Sequence, residues 1–243
     1  MRVSRPFRVD EPIVQISLDL TSLDEAIAYA EAAVRAGVDW LEVGTPLLLS
    51  EGCRAVAALR ERFPDRAIVA DAKIMDGGYL EAELLAQAGA SWVVVMAVAH
   101  PATVRAVVRA GQRYGVGVMA DLMAAPDPVD AARQMEQFGV DVLLVHTSYD
   151  ARNEDPSLSP LDELEAVFWA TKLPLQAVGG LSPEQAVRMP TLGAPLVVLG
   201  APLVIDAHAF RPATSGEELE ALLRDLVQKT KAQPIRRRPS EGG

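Results

Sequence analysis

Ile68-Val69-Ala70-Asp71-Ala72-Lys73-Ile74-Met75-Asp76-Gly77-Gly78 is the stretch on which the fold of this chain turns. Its short apolar run reads as a buried strand. The two-residue side-chain period then puts Asp71 and Lys73 on one side at its end, and Asp76 follows in the loop. Three charges are thereby expected to converge at one strand mouth. Such charges are costly to bury unless they pair or hold a metal. From this run alone, a solvated salt-bridge cluster and a working site both remain open.

Working outward, the same strand-then-helix unit recurs along the chain. Strands are expected at Ile13 to Leu20, Trp40 to Val43, the opening run, Trp92 to Met96, Gly117 to Leu122, Val140 to Val145, Pro174 to Val178 and Leu196 to Leu199. The helix after the first strand begins at a capping box, Ser22-Leu23-Asp24-Glu25, and closes at Gly37. Later helices are expected at Glu51 to Phe63, Tyr79 to Ala88, Ala102 to Tyr114, Pro128 to Phe138, Leu161 to Thr171, from Pro183, and at Gly216 to Lys231. Strands rich in Val, Ile and Leu suit a parallel sheet covered on its outer face. This many units fit a single α/β domain, a (β/α)8 TIM barrel, better than an open doubly wound sheet. No Gly-x-Gly-x-x-Gly follows the first strand, which argues against a dinucleotide fold. Residues 1–12 are read as an N-terminal extension, 13–231 as the catalytic barrel and 232–243 as a disordered tail.

At 243 residues and 50% hydrophobic residues, the chain has ample material for one large core. The net charge of −10 argues against a nucleic-acid surface or an anionic membrane as partner. It does not exclude an anionic substrate, because backbone amides and helix N-termini bind phosphate locally. A lone cysteine, Cys53, excludes an internal disulfide framework and suits a cytoplasmic protein. Cys53 is read as a small packed helix residue rather than a nucleophile. No signal peptide or membrane span is evident.

Active sites of such barrels lie at the C-terminal strand ends, and polar residues gather there: Asp19, Glu42, Asp71, Lys73, Asp76, Asp121 and His146. Glu42 and Asp71, from neighbouring strands, suit a hard cation that keeps several waters, as Mg2+ does; a Glu42–Lys73 ion pair is the competing expectation. His146 has the residue chemistry for proton transfer near neutral pH, although a histidine at a strand end also serves structure. His100 and His208 are read as loop residues. Gly179 and Gly180 after the seventh strand, with Gly200 and Ala201 after the eighth, are placed to expose backbone amides to a phosphate, or simply to make tight turns.

Several stretches together resemble the orotidine-monophosphate decarboxylase superfamily, in its branch containing 3-hexulose-6-phosphate synthase and 3-keto-L-gulonate-6-phosphate decarboxylase. They are Gln15-Ile16-Ser17-Leu18-Asp19-Leu20, Glu42-Val43-Gly44-Thr45-Pro46-Leu47 with Glu51-Gly52, Asp71 to Gly78, His146-Thr147-Ser148-Tyr149-Asp150 and Val178-Gly179-Gly180. The resemblance implies Mg2+ on Glu42 and Asp71, with Lys73 and His146 at the reacting centre. It also implies Asp19 and Gln15 on the sugar, and Asp76 reaching the neighbouring subunit's site in a homodimer. The implied chemistry is an enediolate of a keto-sugar phosphate. Tyr149 stands where the decarboxylases carry arginine, which favours aldol joining of formaldehyde and D-ribulose 5-phosphate. Decarboxylation of a related keto-sugar acid is the nearer alternative, and a non-catalytic sugar-phosphate-binding protein the more distant one. Three departures stand out. Leu49 replaces a lysine of many synthases, Val98-Ala99-His100-Pro101 lacks an acidic pair, and Gly200 to Asp206 replaces the family's second Gly or Arg, with Pro202 unable to donate a backbone hydrogen bond.

Overall fold

Runs of Val, Ile and Leu form the strands because branched side chains pack well on both faces of a covered sheet. The computed structural model describes residues 7–201 and 216–239. In it, eight parallel strands close into a barrel in sequence order. They are β1 (Ile13–Leu18), β2 (Trp40–Val43), β3 (Ala67–Ile74), β4 (Trp92–Met96), β5 (Gly117–Asp121), β6 (Val142–His146), β7 (Leu175–Val178) and β8 (Leu196–Ala201). β8 pairs back onto β1, from Ile13 opposite Leu196 to Leu18 opposite Ala201, so the sheet has no free edge. The outer layer comprises α1 (Leu23–Ala36), α2 (Thr45–Glu51), α3 (Cys53–Arg62), α4 (Gly78–Gln87), α5 (Pro101–Tyr114), α6 (Pro128–Phe138), α7 (Tyr149–Glu154), α8 (Leu161–Ala170), α9 (Pro183–Leu192) and α10 (Gly216–Lys231). This is the single (β/α)8 TIM barrel expected from the strand-helix count.

Two apolar clusters hold it together. The larger lies between sheet and helices and includes Ile16, Leu41, Ile68, Val93, Leu143 and Phe168. The smaller fills the barrel interior with Trp40, Val69, Trp92, Val94, Met119, Val142, Leu144 and Leu196. Trp40 and Trp92 stack at 5.0 Å, and Phe7 packs edge-on against Trp92 at 4.8 Å. The barrel is thus stoppered at its N-terminal end, and open space is left at the other.

The local expectations fared unevenly. The helix expected from Glu51 to Phe63 is α3, and Gly52, at φ 61 and ψ −155 in a region nearly confined to glycine, separates it from α2. The short α2 and α7 were not anticipated. At α1, Ser22 caps the Glu25 amide and Gly37 closes the helix in the left-handed region. Cys53, expected to be packed, opens α3 as an exposed thiol. His100 caps α5, its Nδ1 accepting from the Ala102 amide at 3.1 Å. His208 and Pro202 lie outside the described residues.

Residues 232–239 do not behave as the disordered tail expected from composition. The Arg236 amide donates to Pro190 O at 2.9 Å, and its guanidinium meets Glu165 and lies 4.5 Å from the Phe168 ring centroid. Arg238 Nε donates to Phe168 O at 2.7 Å, and Ile235 packs against the interior cluster. Composition missed this because the partners come from α8 and α9, far away in sequence. Covering Ile235 contributes about 1–2 kcal/mol. Deleting residues 233–243 is therefore expected to lower the thermal midpoint by about 5 °C, measured by circular dichroism; an unchanged midpoint would show that the segment holds nothing in place.

Candidate active site

Every second residue of a barrel strand points inward, and along these strands the inward positions change from apolar to polar toward the C-terminal ends. Asp19 just beyond β1, Glu42, Asp71, Lys73 and His146 wall a cavity of about 760 Å³ at that mouth, with Gly179, Gly180 and Gly200 on the β7 and β8 side. Asp121, fully buried, lies beneath His146 and Lys73.

Lys73 reaches the cavity with its backbone at φ +45, where the β3–β4 register shifts between Ala70 and Ile74. The left-handed region costs a non-glycine residue about 1–2 kcal/mol, and the irregularity re-aims the side chain. The ammonium donates to Asp71 Oδ2 at 2.8 Å and to Asp121 Oδ2 at 3.4 Å. Burial opposes its charge, but the Asp71 and Asp121 carboxylates outweigh burial and raise its pKa. The expected Glu42–Lys73 pair is absent; Glu42 is instead bonded by Gln15 Nε2.

Asp121 Oδ2 also meets His146 Nδ1 at 2.7 Å, while Oδ1 accepts from the Met123 amide at 2.8 Å. Burial alone would raise the Asp121 pKa, yet His146, the charge of Lys73 and the Met123 amide hold it below the usual carboxylate value. An ionised Asp121 accepts from Nδ1–H and so leaves His146 Nε2 as the free ring nitrogen.

Around Asp71, acids crowd together. Thr45 Oγ1 donates to Asp71 Oδ2 at 3.0 Å, but Asp71 Oδ1 is buried with no hydrogen-bond partner. Burial, then the charges of Asp71 and Asp19, push Glu42 up to about 8. Burial and Asp71 push Asp19 up to about 6. No cluster of three or more His, Cys, Asp or Glu able to hold an ion is found among the described residues. An orphaned carboxylate oxygen beside a second buried acid nonetheless fits a hard divalent cation that keeps water in its remaining positions.

Of the residues expected at the site, Gln15 does not line the cavity. It lies beneath, passing a hydrogen bond from Gln176 Nε2 (3.2 Å) to Glu42. Asp76 is exposed and accepts from the Gly77 amide at 2.8 Å, so only two of the three charges in the opening run converge. The backbone of Ala201 ends β8. Sequence reasoning placed Asp121 at the rim but missed its role as the hub of Lys73 and His146, and it overlooked Ser17 and Arg152 in the wall. Asp121 had a signal, an acid closing an apolar strand; Arg152, on the unanticipated α7, had none.

A family model described as orotidine 5'-phosphate decarboxylase / HUMPS family matches residues 12–179. Over 211 residues the chain is 31% identical to a 3-hexulose-6-phosphate synthase of Staphylococcus epidermidis, a match spanning 86% of this chain and 98% of the relative. The crystal structure of 3-hexulose-6-phosphate synthase from Salmonella typhimurium aligns with a TM-score of 0.75 at 33% identity, covering 88% of this chain and 99% of that one. KGPDC from Streptococcus mutans, solved in complex with D-R5P, aligns with a TM-score of 0.74 at 25% identity, covering 88% and 98%.

An acid whose folded pKa lies above its unfolded value holds a proton that the unfolded chain releases, so stability falls as pH rises between the two. For Glu42 that interval runs from 4.5 to about 8. With a chelator present, the thermal midpoint is expected to drop by about 5 °C or more from pH 5 to 8. Glu42→Gln should flatten this drop and melt above wild type at pH 8; parallel curves for the two proteins would refute the assignment.

Proposed function

Because the chain belongs to the orotidine 5'-phosphate decarboxylase / HUMPS family and is a carbon–carbon lyase, we propose that it is an Mg2+-dependent 3-hexulose-6-phosphate synthase that joins formaldehyde to D-ribulose 5-phosphate. The observation that carries this reading is the Lys73–Asp121–His146 network, joined through Lys73 to Asp71, with Glu42 lining the same cavity. It sets a proton-transferring group and a fixed cation beside two oxygen donors.

His146 Nε2 takes the proton from C1 of the keto sugar, leaving an enediolate. C1 then adds to the formaldehyde carbon, and the proton returns to the new alkoxide, so the imidazole ends as it began. Asp121 stabilises the imidazolium that exists between these steps. Lys73, held by Asp71 and Asp121, presents positive charge to the oxygens on which negative charge gathers. Asp19 receives sugar hydroxyls at the β1 end. Asp71 and Glu42 would hold Mg2+, which when bound supplies Lewis-acid stabilisation of that charge. Tyr149, in place of the decarboxylases' arginine, favours aldol joining over decarboxylation. A lone, exposed Cys53 suits a reducing cytoplasm. Among the described residues no helix is long and apolar enough to cross a membrane.

The enzyme in this reading is a homodimer whose Asp76 serves the neighbouring site. Its support is the exposed apolar set Met75, Tyr79, Leu80 and Leu84 around and after Asp76, the kind of surface that a second copy covers.

The test is consumption of formaldehyde with ribulose 5-phosphate. Activity is expected with Mg2+, and is expected to fall at least about 100-fold with chelator or in Asp71→Ala; turnover indifferent to both would overturn the metal assignment, and a folded but inactive wild type the reaction. Asp121→Asn frees His146 to adopt the wrong tautomer and should cut kcat by about 100-fold or more with little change in KM. A kcat within threefold of wild type would remove Asp121 from the mechanism.

A further inference from the structure

A phosphate bound at the β7 and β8 edge needs donors, and the start of α9 has few to spare. The Ser182 amide donates to Gln185 Oε1 at 2.8 Å and the Gln185 amide to Ser182 Oγ at 3.2 Å. Pro183 has no N–H. A helix end satisfied by its own caps has little left for an anion. Beyond it, residues Gly200 to Asp206 contain no Lys or Arg.

Arg152, on α7, has what that edge lacks. Its side chain lines the cavity beside Gly179 and Gly180. A Cβ at Gly180 would lie 2.7 Å from both Arg152 Cδ and Nη1, so the bare glycine makes room for the guanidinium. Arg152 Nε is buried without a hydrogen-bond partner, and its guanidinium carbon lies 5.7 Å from the Tyr149 ring centroid. Burial lowers its pKa, with no carboxylate among the causes to counter it. Lys73, which also lines the cavity, is committed to Asp71 and Asp121. A partly buried guanidinium with no counter-ion among the described residues is costly; a phosphate matches its planar fork and meets its donors in pairs.

We propose that Arg152 is a specificity-determining residue of this chain, the cation that anchors the substrate's phosphate between α7 and the Gly179-Gly180 turn where strand eight offers none. This rests on the reading of the cavity as a keto-sugar phosphate site. The guanidinium grips the non-reacting end of the sugar, so it sets affinity and leaves the chemistry at C1 untouched.

The test compares wild type, Arg152→Gln and Arg152→Lys, each first shown to melt cooperatively. With ribulose 5-phosphate, Arg152→Gln should raise KM about 10- to 100-fold while kcat stays within about threefold, and Arg152→Lys should recover part of the loss. Calorimetric titration with inorganic phosphate reads the anchor without turnover: wild type should bind and Arg152→Gln should bind at least about tenfold more weakly. Loss of phosphate binding in Arg152→Gln beside a wild type inactive toward ribulose 5-phosphate would keep the anchor and reject the assigned reaction. A wild type that does not bind phosphate, or an Arg152→Gln protein with unchanged phosphate affinity and KM, would overturn the proposal.

Discussion

A carboxylate wholly removed from water, that of Asp121, is the constraint around which the cavity is arranged. Burying such a charge is costly unless every oxygen is satisfied and a counter-charge is close. Here the Met123 amide takes one oxygen, and His146 and Lys73 share the other. The same bonds orient the imidazole and hold the ammonium in place, so one stabilising interaction also determines the geometry available for chemistry. The left-handed backbone of Lys73 fits this account, since a strained residue persists only where its surroundings over-determine it.

Carboxyl groups in the site are driven in opposite directions. Asp121 is held ionised by two basic neighbours, while Glu42 and Asp19 are pushed toward their neutral forms by burial and by Asp71. Environments that drive like groups in opposite directions are what acid–base chemistry requires. The layer below serves the layer above. Gln176 and Gln15 bridge the barrel to reach Glu42, and beneath them Trp40, Trp92 and Phe7 seal the N-terminal end. A rigid, dry floor keeps the strand-end groups from drifting.

The barrel was legible in the sequence because its signal is repetitive. Apolar runs of strand length, each followed by a helix, point to one architecture many times over, and no single error in a boundary changes the sum. Much of the cavity was legible for a related reason. In a parallel barrel every strand delivers its C-terminal end to the same rim, so a polar residue closing an apolar run, as in Glu42, Asp71, Asp121 and His146, is placed by topology alone. Short elements were less legible: α2 and α7 have too few residues to show a period.

By itself, then, the sequence determined the fold class, the shared location of the strand-end residues and the kinship that the Asp71 to Gly78 run and the His146 block announce. Only the tertiary structure decided which charges meet. Lys73 turned to Asp71 and Asp121 rather than Glu42, Asp76 turned outward, Gln15 went beneath the floor, Arg152 came against Gly180, and residues 233–239 found α8 and α9. The physical reason is one of range. Strand and helix periods are written in neighbouring residues, whereas an ion pair in a closed barrel joins side chains whose approach depends on register, a bulge and the turn of a loop many residues away.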